Sequence, residues 1–399
     1  MAQTVKGEEK KNGGREGPVW KDQNLHVVWF VTLMAVLGSS SVSPAFPEVR
    51  QQFGVSAGQV GLLITVFTLP GVFLTFLAGA LSDRFGRKKI LVPSLLVFGI
   101  AGGACVLAPN FETLLLLRVL QGVGAASLGA LNVTLVGDLF SGRERTTALG
   151  YNSSVLNIGT ASYPALGGAL AAFGWYYPFA LPLLAVPVAI LVLFSLRNPE
   201  PRNEQELKEK AQSIWESAKN GRVIGLFANT FVIFVLLFGA LIAYLPSFIS
   251  ERFGSGSFFI GVVLASTSVT AAFTSTQAGR LAHRFSEKAL IRSSYLLYAI
   301  ALCLVPLVPS VWLLFVPTVL FGVAQTLNLP NSFSLLNAAA PVENRGAFIS
   351  LNSTILRLGQ TLGPVLMLAA TLPFGLGSAY LLATGLAAAM FLIAFALIR

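Results

Sequence analysis

Two arginines stand where arginines are rare. Arg118 and Arg357 each interrupt a long apolar run, in Leu117-Arg118-Val119 and Leu356-Arg357-Leu358. A guanidinium near a bilayer centre costs at least about 2.5–3.5 kcal/mol, so it is normally paired or faces an aqueous path. No carboxylate keeps either one company. Every Asp and Glu falls in a tail, a loop or the end of an apolar run, with Glu48 at one side and Asp83 and Asp138 at the other. Uncharged polar residues do share the runs: Gln121, Asn132, Asn152 and Asn157 in the first half, and Gln325, Asn328, Asn331, Asn352 and Gln360 in the second. With Phe67, Tyr163 and Tyr244 they are candidates to line a polar path, although polar groups in spans also bond neighbouring helices to one another. His26, His283, Cys105 and Cys303 lie far apart, which leaves no metal site and no disulfide framework. No phosphate-binding loop or His-Glu-x-x-His pattern occurs. The expectation is a protein without metal or cofactor that is not an enzyme.

The elements holding these residues follow from composition. Of 399 residues, 54% are hydrophobic and 11% charged, with a mean hydropathy of +0.73. Soluble proteins carry about 25% charged residues, so most of this chain belongs in lipid. Crossing the hydrocarbon layer takes about 20 apolar residues. Runs that qualify are 25–47, 58–81, 90–108, 113–137, 146–172, 175–196, 223–249, 257–280, 289–308, 312–335, 346–372 and 376–398. The first is too long for a signal-peptide core of about 7–15 residues and is expected to be retained. With the N-terminus inside, 23 of the 27 Lys and Arg fall on the inner side and only Arg50 and Arg252 on the outer. That split is the positive-inside rule. It places both termini in the cytoplasm of a cell-membrane protein and explains the net charge of +10 without nucleic acid.

The chain therefore divides into a cytoplasmic tail (1–24), a six-helix bundle (25–196), a cytoplasmic linker (197–222) and a second six-helix bundle (223–399). In the linker, Leu207, Ala211, Ile214, Trp215 and Ala218 recur at helical spacing, as on an amphipathic interfacial helix; a solvated linker is the alternative. The halves are copies. Gly79-Ala-Leu-Ser-Asp-Arg-Phe85 returns as Gly279-Arg-Leu-Ala-His-Arg-Phe285, Asn152-Ser153-Ser154 as Asn352-Ser353-Thr354, and Gly159 and Pro164 as Gly359 and Pro364, always 200 residues on. The expected fold is all-α and integral to the membrane, with twelve transmembrane helices in two pseudo-symmetric bundles. Parallel repeats place a substrate site at the midplane between them, which favours a transporter over a receptor, channel or membrane enzyme.

At these residues the chain resembles the major facilitator superfamily, over nearly its whole length. Gly79-x-Leu-Ser-Asp83-Arg84-Phe-Gly86-Arg87-Lys88-Lys89 is similar to the superfamily's signature loop between spans 2 and 3. Gly79 is expected to let helices approach closely there, and Asp83 and Arg87 are spaced to pair across one helical turn. The resemblance adds Asp138 to a charge relay that locks the inner side. In the second copy the loop has decayed to His283, Ser286 and Glu287. Leu117-Arg118-x-x-Gln121-Gly122 resembles a motif of proton-coupled members. That implies proton coupling for Arg118 and Gln121; a structural hydrogen-bonding role is the alternative. Gly150-x8-Gly159-x3-Tyr163-Pro164-x2-Gly167-Gly168 resembles the antiporter motif of drug:proton exporters, with Tyr163 where glycine is usual. Its small residues suit backbone-to-backbone packing, and span 11 repeats them as Gly359-x3-Gly363-Pro364. The wording around Tyr151 and Gly159 is also similar to a bacterial subgroup that includes the bacillibactin siderophore exporter.

These features imply a secondary active exporter that works by alternating access, in exchange for protons, as a monomer among membrane lipids. Arg357, about eleven residues into span 11, lies near mid-membrane and is either a substrate contact or half of an interhelical pair. Two guanidiniums without a carboxylate should favour neutral or anionic amphipathic compounds. Proton-coupled relatives often carry an acidic group in span 1, where this chain has Gly38-Ser-Ser-Ser-Val-Ser-Pro44. An importer of a polar nutrient such as a sugar, with Pro199-Glu200-Pro201-Arg202 as its faint sign, and a non-transporting receptor are the alternatives.

Overall fold

A computed structural model describes residues 18–196, 221–339 and 345–398, without the side chains of residues 278, 282, 283 and 345–347. The expected amphipathic linker helix, most of the N-terminal tail, the side chains of His283 and Arg345, and Arg399 lie outside the described residues. The described chain is helical. Lipid offers no partner for peptide groups, so each segment must satisfy its own.

The first rod is α1 (Gln23–Ser40), capped by Asp22, whose carboxylate accepts from the backbone of Asn24 at 2.7 Å, and α2 (Phe46–Phe53). A tight turn at Ser43–Ala45, at Pro44 and ahead of Pro47, separates them, and the span expected over 25–47 runs on as one rod to Phe53. Next come α3 (Ala57–Phe85), α4 (Arg87–Ala104), α5 (Phe111–Leu139) and α6 (Gly142–Ala171). The short α7 (Tyr177–Ala180) leads into α8 (Ala185–Ser195). The second half holds α9 (Gly221–Val235), a π-helical stretch (Leu236–Tyr244) and α10 (Leu245–Phe253) as one rod. It continues through α11 (Ser257–Arg284), α12 (Glu287–Leu304), α13 (Phe315–Ala339), α14 (Arg345–Phe374) and α15 (Gly377–Leu397).

Among the described residues, ten rods are long and apolar enough to cross a membrane. The two expected spans that fall short are α6, studded with Asn152, Ser153, Ser154, Asn157, Thr160 and Ser162, and α12, which opens with Glu287, Lys288 and Arg292.

The halves meet unevenly. α3 runs along α14, and α6 along α11. At the end carrying Arg50, one apolar core spans both halves, joining Phe46, Val60 and Ile64 to Tyr244, Leu245 and Ile260. Toward the end carrying Arg87, the first half keeps a core of its own, in which Leu25, Val28 and Val31 of α1 join Leu95, Leu135 and Val192.

Polar ties cross the seam at the Arg50 end as well. Pro246 has no N–H to bond the carbonyl four residues back, and that carbonyl, on Ile242, accepts the Ser43 hydroxyl from the other half. Arg50 pairs with Glu251, and the Ser257 hydroxyl donates to Glu48. Nearer the middle, Thr65 donates to the Thr361 carbonyl at 3.0 Å, and the Thr68 and Thr361 hydroxyls lie 3.0 Å apart.

Along the seam-lining helices α3, α6 and α11 the glycines mark the same gradient, although the loop glycines Gly54, Gly254 and Gly256 at the Arg50 end also meet nothing within 4 Å. A Cβ at Gly261 would collide with the carbonyl of Pro164, and one at Gly168 with the carbonyl of Ser257. At the other end, a Cβ at Gly79, Gly150 or Gly279 would meet nothing within 4 Å. The close helix approach expected at Gly79 is therefore not found, and Gly150 takes no part in packing: in this conformation the helix ends there stand apart. The halves touch at the Arg50 end and separate toward the Arg87 end.

Candidate functional site

The loop between α3 and α4 turns on Gly86, whose φ of 99° suits a residue without Cβ. This turn delivers Arg87 to the first position of α4, 6% exposed. Its guanidinium pairs with Asp83, donates from Nε to Asp138 at 2.9 Å and from Nη1 to the Ser82 hydroxyl at 2.6 Å. Asp83, Arg87 and Asp138 thus come together. All three belong to the first half, so the cluster ties α3, α4 and α5 to one another and leaves the seam free. Arg84 points outward over the Phe85 ring, 5.5 Å from its centroid. In the second half Glu287 stands at the position matching Arg87, and the Ser334 hydroxyl donates to it where the first half has an ion pair.

Arg118 is fully buried. It donates from Nη1 to the Gly38 carbonyl at 2.8 Å and to Gln121 Oε1 at 2.7 Å, and from Nε to the Leu63 carbonyl at 3.3 Å. The guanidinium carbon lies 4.2 Å from the centroid of the Phe67 ring, a cation–π distance. Backbone carbonyls and a ring face, rather than a carboxylate, hold this charge and bind α1, α3 and α5 together.

Four of the candidate path residues are buried in interhelical clamps. Asn132 donates to the Thr32 hydroxyl at 2.7 Å, Thr32 to Asn152 at 2.6 Å, and Asn152 back to Asn132 at 3.2 Å. This closed triangle joins α1, α5 and α6. The second half answers with Thr230 donating to Asn352 at 2.8 Å, and Asn229 to Asn328 at 3.0 Å and Ser332 at 2.6 Å. Thr32, Asn229 and Thr230 escaped sequence reasoning. The repeat marks only their partners, since Asn132 matches Ser332 and Asn152 matches Asn352 at the 200-residue offset, whereas Thr32 falls on Val232 and Asn229 and Thr230 on Trp29 and Phe30.

Arg357 sits differently. It is half-buried, and its Nη1 donates to Gln360 at 3.1 Å. The side chain leaves α14 and crosses the seam. A Cβ at Gly71 would lie 3.2 Å from its Cδ, and one at Gly129 would lie 3.3 Å from its Nη2. Gly71 on α3 and Gly129 on α5 therefore wall a slot that a second-half guanidinium enters. Among the described residues no acidic side chain pairs with it. Asn157, its repeat counterpart, is exposed, and Tyr163 is half-buried against the first-half core.

The remaining motif residues pack. Gly159 faces Leu33 and Val36 of α1, and a Cβ at Gly167 would collide with the Ser41 carbonyl. A Cβ at Gly359 would lie 2.6 Å from the Phe231 carbonyl oxygen, and one at Gly363 2.9 Å from that of Val235. The Pro164 carbonyl packs against the Cβ position of Gly261, and Pro364 lies 3.8 Å from that of Gly61.

The family model of the Major Facilitator Superfamily matches residues 28–266 and 226–399. The chain is 28% identical over 355 residues to the bacillibactin exporter of Bacillus subtilis (strain 168), covering 86% of this chain and 88% of that one. It is 27% identical over 352 residues to multidrug resistance protein 2 of the same organism, covering 84% and 85%. Among solved structures, a bacterial homolog of the human lysosomal transporter Spinster, inward-facing and unoccupied, superposes with a TM-score of 0.74 at 21% identity over 95% of each chain. At that identity the likeness concerns the fold.

Proposed function

This chain belongs to the major facilitator superfamily, a multi-pass membrane transporter and not an enzyme, and on that premise we propose that it exports small amphipathic compounds, neutral or anionic, in exchange for protons. α6 and α12 join the ten more apolar rods as spans, giving twelve in two six-helix bundles with both termini in the cytoplasm. The Arg87 end is then the cytoplasmic one, and the conformation is open to the cytoplasm and shut outside. The observation that carries this reading is the glycine gradient, with backbones in contact at Gly261 and open space at Gly79 and Gly279. The export direction draws support from the relatives named for bacillibactin export and multidrug resistance.

Arg357, Asn157 and Tyr163 form the substrate path. Asn132, Asn152, Asn328 and Asn352 set its walls through their clamps. Arg118 and Gln121 supply a fixed charge near which the coupling proton moves. Asp83, 42% exposed beyond its pair with Arg87, is the group that reaches the second half when the cytoplasmic side closes, so Arg87 and Asp138 position the lock. The glycines and prolines of α6 and α14 are the seam on which the halves rock.

Everted vesicles test the proposal. With an acidified lumen, an amphipathic carboxylate should accumulate inside, and a protonophore should abolish the accumulation. Movement of substrate together with protons would mark an importer. Absence of flux across a broad panel would favour a receptor.

A further inference from the structure

A mid-membrane guanidinium has two ways to be tolerated, and the chain uses both. Arg118 is enclosed, with backbone carbonyls, Gln121 and Phe67 around it. Arg357 donates to the single side chain of Gln360 and stays partly exposed at the level where the halves part. Its planar fork of donors matches an oxyanion bidentately. The slot around it exists because two residues lack side chains: the Cβ positions of Gly71 and Gly129 fall 3.2 Å and 3.3 Å from Arg357 atoms. A larger residue at either position would press on the arginine. Both glycines belong to the first half and the arginine to the second, so an anion here touches both bundles.

We infer that Arg357, Gly71 and Gly129 form an anion seat shared by the two halves, which selects substrates bearing a carboxylate or comparable oxyanion on an apolar body. This rests on reading the chain as a transporter and narrows the class proposed above to its anionic members. Gln360 orients the fork, leaving Nη2 and Nε toward the slot. Gly71 and Gly129 determine specificity by letting the guanidinium lie against α3 and α5, where an added methyl would displace it, and the missing carboxylate is supplied by the cargo.

The test is equilibrium binding to the purified full chain in detergent, with paired probes that differ only in charge: 2-naphthoate with 2-naphthamide, and the corresponding acid and amide pairs of one and three rings. In at least one pair the acid should bind about tenfold or more tightly than the amide. Arg357→Gln should erase that preference, and Arg357→Lys should retain part of it. Gly71→Ala and Gly129→Ala should weaken the acid about three- to tenfold while leaving the amide unchanged. Equal binding within every pair, including none at all, overturns the seat, as does a preference that survives Arg357→Gln. Because binding is read without a gradient, charge preference without efflux refutes export alone. Efflux without charge preference refutes the seat alone.

Discussion

Replacing Gly261 with alanine should open the seam on the Arg50 side. The new Cβ would collide with the Pro164 carbonyl oxygen and lie 3.0 Å from its carbon and 3.2 Å from Ala165 Cα. These are backbone atoms of a long helix, so no side chain can swing aside. Overpacking of this kind costs about 1–3 kcal/mol. The cost falls on the conformation in which α6 and α11 touch, while the helix preference for alanine applies to every conformation in which α11 is helical. At about 1.36 kcal/mol per factor of ten, the equilibrium moves about 5- to 150-fold toward the outward-open form. A single cysteine reports the shift, with Cys105 and Cys303 replaced and cysteine placed at Ala243. That site is fully buried, and its Cβ lies 3.6 Å from the Cβ position of Gly61 across the seam. Labelling from outside by a membrane-impermeant maleimide should accelerate at least about fivefold, by the same arithmetic. Gly385→Ala is the matched control, entering open space on α15 away from the seam, and should leave the rate unchanged. If inserted, folded Gly261→Ala labels no faster than its parent, the reasoning fails.

Three further outcomes follow from the geometry. Arg118→Ala should lower thermal stability in detergent by about 2–4 kcal/mol, since hydrogen bonds to charged groups contribute about 1.5–3 kcal/mol, whereas Arg357→Ala should change it by less than about 1 kcal/mol; equal effects would contradict the two placements. Asn152→Ala opens the Thr32–Asn132–Asn152 triangle and should cost about 0.6–1.7 kcal/mol, the range for interhelical hydrogen bonds in membranes, measured by the same melt. Arg50→Glu and Glu251→Arg should each speed labelling of the Ala243 cysteine, and the double exchange should restore the slow rate; a double variant faster than either single one would show that the pair does not hold the seam.

Much of this architecture was legible in the sequence because lipid imposes a simple pattern. The apolar runs and the 200-residue repeat locate the helices, and the spacing of Asp83 and Arg87 anticipates their pair. The break at Ser43–Ala45 had a local sign in Pro44 and Pro47, whereas the π-helical stretch before Leu245 was less visible. The asparagines could be picked out as polar residues in spans, but only packing shows Asn152 turned into a clamp and Asn157 left exposed. Gly79 misled for a physical reason: a glycine permits close approach without requiring it, and contact there depends on which side of the molecule is closed. Gly71 and Gly129 carried no local signal, because their meaning comes from an arginine more than 200 residues away.

The central claim is that the two bundles rock about the seam, and paired spin-label distances test it most directly. One pair joins Gly79 and Gly279, where added side chains meet open space; the other joins Gln52 and Ser255 at the opposite end. On adding a transported carboxylate, the Gly79–Gly279 distance should shorten while the Gln52–Ser255 distance lengthens. Distances that stay fixed, or that change in the same direction at both ends, would contradict the account.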